Sequence, residues 1–412
     1  MCARVRIAAS VALFLIGALG RIDSKPPRIA TSLLPAGTFQ EHLLSRPEAM
    51  DHFEEMRTEF FSPNAAVTRD GKYLIIGTCQ PMWTGIDDYE FYFYLIVYDI
   101  GQKRYTHVLS VQQDFVHLND SFADIQISSD DRLIAVTWGN AVSVYSFDNT
   151  KGRLEHKWTK RIFHGETDPW RMKAWCTFSE DEKQLLVTCP QQPLTKFDAL
   201  TGERLERWRR HSKVVPGDVT NPLWPSGGIR SCPVQVALLL DNWRQEKGEK
   251  SIQGIVVQDF DSKKAKFLDL EEPAYFSYPR LVFQPGKNVL VTAYVTPHPK
   301  ITGRALQLVR WEWETDSVHK DLLGTYWELC SDLLFSPDGA YALVLVMPNW
   351  ITDPGLLVIE TSEWKVIKGY RLPSSRGYKG MFAAQAKQLV LLSSDAHLLI
   401  IDWPKFVEHL NK

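Results

Sequence analysis

With 412 residues, the chain is long enough for two or three ordinary domains or for one large repetitive unit, so length alone decides nothing. Its 47 lysines and arginines are met by 49 aspartates and glutamates, which leaves none of the basic excess that binding to nucleic acid or to an anionic membrane surface requires. Six scattered cysteines offer no C-x-x-C pair, no haem-attachment spacing and no zinc spacing.

From the N-terminus, Arg4 and Arg6 precede an apolar run from Ile7 to Gly20 that ends in Ala18-Leu19-Gly20, which is the pattern of an export signal over residues 1–20. The run is short for a membrane span, although an uncleaved anchor is the alternative reading. No later segment has 18 consecutive apolar residues, so no span is expected beyond it. The expected location is periplasmic, secreted or cell-envelope. Residues 21–64 read as a proline-containing linker that ends in an extended segment, followed by a short helix opened by Ser45-Arg46-Pro47-Glu48, in which serine caps and proline sits in the first turn. Cys2 leaves with the signal, and the remaining five cysteines cannot all pair. Cys176 and Cys189 share a face if Phe178 pairs with Leu185, but stand diagonally across that hairpin, too far apart for a good bridge, so all five read as small buried hydrophobes.

Residues 65–412 repeat one unit. Its fullest copy is Lys173 to Trp208, which reads as four short strands: Ala174–Phe178, a polar turn, Gln184–Cys189, Gln191–Asp198, the turn Ala199-Leu200-Thr201-Gly202, and Glu203–Trp208. One four-stranded sheet with two apolar faces cannot bury both alone and needs neighbours of its own kind on either side. The first hairpin recurs at Val67 to Leu74, Ile127 to Leu133, Phe178 to Leu185, Phe283 to Leu290, Phe335 to Ala342 and Phe382 to Leu389. A gap of about two periods holds a degenerate copy built from Ile229–Leu240 and Ser251–Asp259, so seven blades are expected. The last copy lacks room for a fourth strand, and a segment within Ile29 to Ser62 is expected to supply it and close the ring.

These residues resemble the WD-repeat family and its exported relatives, the YVTN and quinoprotein-like propellers, over about residues 60–405. The motifs that carry the likeness are Phe335-Ser-Pro-Asp-Gly339 and Lys196-Phe-Asp198-Ala-Leu-Thr-Gly202, in which Asp198 stands in the place of the aspartate of the Trp-Asp dipeptide; Tyr98-Asp99 and Ile401-Asp402-Trp403 echo it. The family's regular Gly-His dipeptide is absent. The resemblance implies an all-β, seven-bladed propeller of four-stranded antiparallel sheets, and it implies that connections between blades and between second and third strands share one face.

On that face the sequence collects Trp83, Asp87, Asp88 and Tyr89 in the blade-one connection, His164, Asp168 and Trp170 before blade three, His298 in blade five, and Trp327, Trp350 and Asp353 in blade six. Aromatic anchors with carboxylates and histidines among them point to a recognition surface for a protein, peptide or carbohydrate. Taken singly, each is more often a packing residue, and Asp70, Asp130, Asp181 and Asp338 read as turn aspartates bonded to their own backbone. No G-x-S-x-G elbow, H-E-x-x-H, P-loop, dinucleotide fingerprint or EF-hand loop is present. The reading is therefore a non-enzymatic exported binding scaffold with no cofactor, although Asp87, Asp88 and Glu90 are of a type that binds calcium. The alternatives are a lactonase-like, metal-assisted hydrolase in which Asp88, His164, Asp168 and His298 converge at the channel mouth, a redox-enzyme subunit, and a structural module of a cell-envelope assembly.

Overall fold

The computed structural model describes residues 31–45, 47, 64–85, 88–111, 122–138, 141–162, 174–188, 194–208, 227–231, 234–241, 253–270, 280–297, 304–325, 327–348, 355–374 and 376–412. The strands form seven sheets, each built outward from a first, innermost strand by consecutive antiparallel strands, with an N-terminal strand added to the outer edge of each of the last two. Those first strands are Asn64–Val67, Phe122–Ile127, Trp175–Phe178, Gly227–Ser231, Arg280–Phe283, Trp327–Phe335 and Tyr378–Ala383. Each packs beside the first strand of the next blade, and the seventh returns to the first, which closes the ring around a central channel.

The energetics follow from the second and third strands. In blade one Leu74, Ile75 and Ile76 are all inaccessible to solvent, as are Leu95, Ile96 and Val97. A strand buried on both faces reads as a continuous apolar run rather than an alternating one. The alternation survives as a choice of neighbour: Leu343 and Leu345 of blade six pack toward blade seven, while Ala342, Val344 and Val346 pack toward blade five. Seven apolar clusters result, one at each seam between consecutive blades.

The N-terminal segment closes the ring as expected. Phe39–Leu43 pairs antiparallel with His397–Asp402 from Phe39↔Ile401 to Leu43↔His397 and becomes the fourth strand of blade seven. His397 Nδ1 lies 2.8 Å from Glu41 Oε1 across that pair, and the Leu44 amide donates to the Ala396 carbonyl at 3.0 Å. Thr31–Leu33 adds something the sequence did not suggest: a fifth, parallel strand on the outer edge of blade six. The short helix expected after Ser45 lies outside the described residues.

The last ten residues also exceed expectation. Trp403–Leu410 is a helix, with Pro404 in its first turn and the Asp402 carboxylate accepting from the Lys405 amide at 3.2 Å. Trp403 packs edge-on against Tyr341 and Phe382, and Phe406 against Tyr370, so the helix covers the seam between blades six and seven. Asp402, which the sequence presents as an echo of the Trp-Asp dipeptide, is a helix N-cap.

Candidate functional site

An antiparallel meander puts the first-to-second and third-to-fourth turns at one end of every blade and all other connections at the opposite end. The two faces of the ring are built differently.

The face of the short turns is closed by one repeated device. A serine or threonine hydroxyl donates to an aspartate two residues on, at 2.7 Å for Thr68–Asp70, Ser128–Asp130 and Ser179–Asp181 and at 2.5 Å for Ser336–Asp338. The aspartate accepts the amide two residues further, and the hydroxyl oxygen accepts the amide that starts the second strand, as in Tyr341 to Ser336 at 2.9 Å. These bonds hold the Asp181 and Asp338 carboxyls below the usual carboxylate range, with the serine hydroxyl the largest cause. The four turn aspartates are structural, as the sequence suggests.

Residues that the sequence did not single out stitch the turns together. The position after the turn aspartate is left-handed in every copy of the device: Gly71 at φ +71°, Asp131 at +57°, Glu182 at +59° and Gly339 at +69°. A left-handed residue with a Cβ costs about 1 kcal/mol. At Asp131 and Glu182 the side chain offsets that cost by reaching the preceding blade. Both Asp131 carboxylate oxygens accept the Arg69 amide at 3.1 Å, and Glu182 accepts the amides of Ser129 and Asp130. Burial pushes the Asp131 carboxyl upward, partly countered by that amide. The sequence signal was available as a carboxylate where the other copies carry glycine.

A second device works in the channel wall. Asp124 and Asp332 hold the same place in their blades, three residues before the end of an inner strand and next to a break in register. Each reaches the first strand of the next blade, where Asp124 accepts the Cys176 amide at 3.4 Å and Asp332 accepts the Gly380 amide at 3.0 Å. Lys379 lies 3.4 Å from Asp332. Cys176 and Cys330 form no disulfide among the described residues and are buried as expected; burial first, then the nearby Asp124, pushes the Cys176 thiol far up.

The opposite face departs from the expected picture in one decisive respect. The blade-one connection Gln80–Glu90 is not a loop. Its second and third strands run Tyr73–Gly85 and Asp88–Asp99, stay in register from Tyr73↔Asp99 to Trp83↔Tyr89 and pair on to Gly85↔Asp88. The first strand stops opposite Gly77 and the fourth opposite Phe93. Past Cys79 the two central strands pair only with each other among the described residues, so a hairpin projects by about 20 Å from the sheet. Trp83 and Tyr89 are directly opposed in it, and Asp88 faces Gly85 with a register shift between. The β-rich composition around Phe91 to Val97 was the signal that strand pairing continues.

Of the other expected site residues, Trp327 opens the first strand of blade six at this same face, opposite Pro348. Asp87, His164, Asp168, Trp170, His298, Trp350 and Asp353 lie outside the described residues. The strand ends that flank them, such as Arg161, Trp175, Pro297 and Pro348, all lie at this face. Among the described residues no group of three or more His, Cys, Asp and Glu side chains is placed to hold a metal ion, and no described helix is long and apolar enough to cross a membrane.

No protein-family model matches the chain, and no curated protein sequence matches it. Solved structures do. One is a chain in the crystal structure of the mitotic checkpoint complex, with a TM-score of 0.55 and 12% identity over 93% of this chain and 96% of that one. At that identity the likeness is one of fold.

Proposed function

We propose that the chain is an exported, non-enzymatic, WD-repeat-like propeller that binds a protein, peptide or carbohydrate partner through the face that carries the blade-one hairpin. The observation that carries this reading is the hairpin itself. Among the described residues no third strand pairs with this two-stranded ribbon, which leaves a row of backbone groups on each side open to pairing, and its sequence places an aromatic residue on each strand at opposed positions. Tryptophan and tyrosine are the residue types that contribute most to binding at protein interfaces. The likeness to a chain crystallised within a protein complex agrees with a partner-binding role, and Arg4, Arg6 and the apolar run to Gly20 support export.

The test is affinity capture from the native host by the parent protein, by a Trp83→Ala/Tyr89→Ala variant, by Trp350→Ala, and by Glu180→Gln on the opposite face. The proposal expects co-purifying partners to be lost with the first two variants and kept with the third. Partners retained by both tryptophan variants and lost with Glu180→Gln would refute it.

A further inference from the structure

The channel mouth on the short-turn face holds a cavity of about 620 Å3, walled by the inner strands and turns of blades seven, one, two and three. Its charges are segregated around the ring. Lys379 and Arg69 come from the adjacent blades seven and one, while Asp124, Glu180 and Glu182 come from the adjacent blades two and three.

Three of these charges are already used by the fold. Lys379 pairs with Asp332, Asp124 accepts from the Gln126 side chain at 2.9 Å and from the Cys176 amide, and Glu182 accepts from blade two. Of the other two, Arg69 is used in part and Glu180 not at all among the described residues. The Arg69 guanidinium donates one bond, from Nη1 to the Ser129 carbonyl at 2.8 Å, and meets no carboxylate within ion-pair distance among the described residues. Its backbone is fixed at both ends, by the Asp131 carboxylate on its amide and by the Gln385 and Ala386 amides on its carbonyl. The bond to Ser129 restrains the side chain itself and so removes part of the rotamer entropy it would lose on binding an anion. Glu180, in the turn two blades away, makes no hydrogen bond or ion pair among the described residues. The apolar residues of the wall, Phe178, Met381 and Phe382, are packed into the seams between blades, so the wall offers a ligand mainly polar and charged groups.

We infer that this cavity binds a small zwitterion, an α-amino acid or a dipeptide. The carboxylate is taken by Arg69, whose fork geometry matches it in two parallel bonds, and the ammonium by Glu180. The volume suits a ligand of that size. The site lies on the face opposite the blade-one hairpin and is independent of the partner-binding reading.

Calorimetric titration of the full chain with phenylalanine and with the dipeptide Ala-Phe, against the neutral analogue N-acetyl-Ala-Phe-amide, tests this. Saturable binding of at least one zwitterion and none of the neutral analogue is expected, and which zwitterion binds separates amino acid from dipeptide. Arg69→Ala and Glu180→Gln should each weaken it by about tenfold, the equivalent of one charge-assisted bond. Arg69→Lys should restore part of the loss, which a merely structural role for Arg69 would not explain. The inference is overturned by the absence of saturable binding at millimolar zwitterion, by equal binding of the neutral analogue, or by affinity unchanged in both variants when circular dichroism shows both folded.

Discussion

The two faces of the ring use the same strands for different ends. On the short-turn face, four blades carry the same hydroxyl–aspartate turn, and in blades two and three the left-handed position has become a carboxylate that grips the blade before it. On the other face the central strands of blade one outrun their neighbours and leave the sheet. Among the described residues, many of the bonds that hold the ring lie where connections are shortest, because a short, conformationally fixed turn can offer its amides to a neighbour in a set geometry. The opposite end is then free to carry length and aromatic residues without opening the ring. Substitutions at the short turns should therefore change stability and leave partner binding alone, and those in the hairpin should do the reverse.

The largest effect belongs to ring closure. Removing the chain through Leu43 takes away the fourth strand of blade seven and bares the Ile401 and Leu399 edge, so the cooperative thermal transition seen by circular dichroism should disappear. Next is Gly71→Ala. A Cβ there would lie 2.7 Å from Gln388 Oε1 and 2.8 Å from Ala386 Cβ, at φ +71°; conformational strain and crowding at the seam of blades seven and one together should cost about 2–4 kcal/mol in urea denaturation. At Gly286 the same conformation meets nothing within 4 Å, so Gly286→Asn should cost less than about 1 kcal/mol. Asp131→Gly keeps the backbone freedom and removes only the grip on Arg69, which should cost about 1 kcal/mol.

The smallest effect is in pH. His42, on the closing strand, is 8% exposed and neither ring nitrogen has a hydrogen-bond partner among the described residues. Burial first, and then Lys103, lowers its pKa. A histidine depressed in the folded state contributes stability that is complete above its unfolded pKa near 6.5 and is lost as pH falls below it. The depressed Asp181 and Asp338 carboxyls lose theirs only lower, below about pH 4. Urea midpoints measured against pH should thus fall in two windows, and His42→Leu should shrink the upper one alone, the rest of which comes from His107, lowered by burial first and then by Arg153.

Much of this architecture is legible in the sequence, because a blade is written locally. The Phe178–Leu185 pairing, the turn aspartates and the missing fourth strand after Asp402 all rest on patterns within about 35 residues, and the structure reproduces them. What the sequence hid is what crosses between repeats. Nothing near Asp131 tells that its partner is Arg69, 62 positions earlier, and nothing near Asp332 tells that it meets Gly380, 48 positions later. Asp402 ends a third strand as Asp99 and Asp198 do, but the helix it caps was hidden for a related reason: the same aspartate caps a turn in a blade interior and a helix when the chain turns back over its own seam. The hairpin of blade one looked like a loop because proline, glycine and acids punctuate it, although the strands on both sides were strong enough to carry pairing through them.

The most direct test of the division between faces is amide hydrogen exchange on the ring with and without a purified captured partner. Slowed exchange over residues 80–92, with the turns at 68–72, 128–132 and 179–183 unchanged, is the predicted result. Protection confined to those turns, with residues 80–92 exchanging as in the free protein, would contradict it.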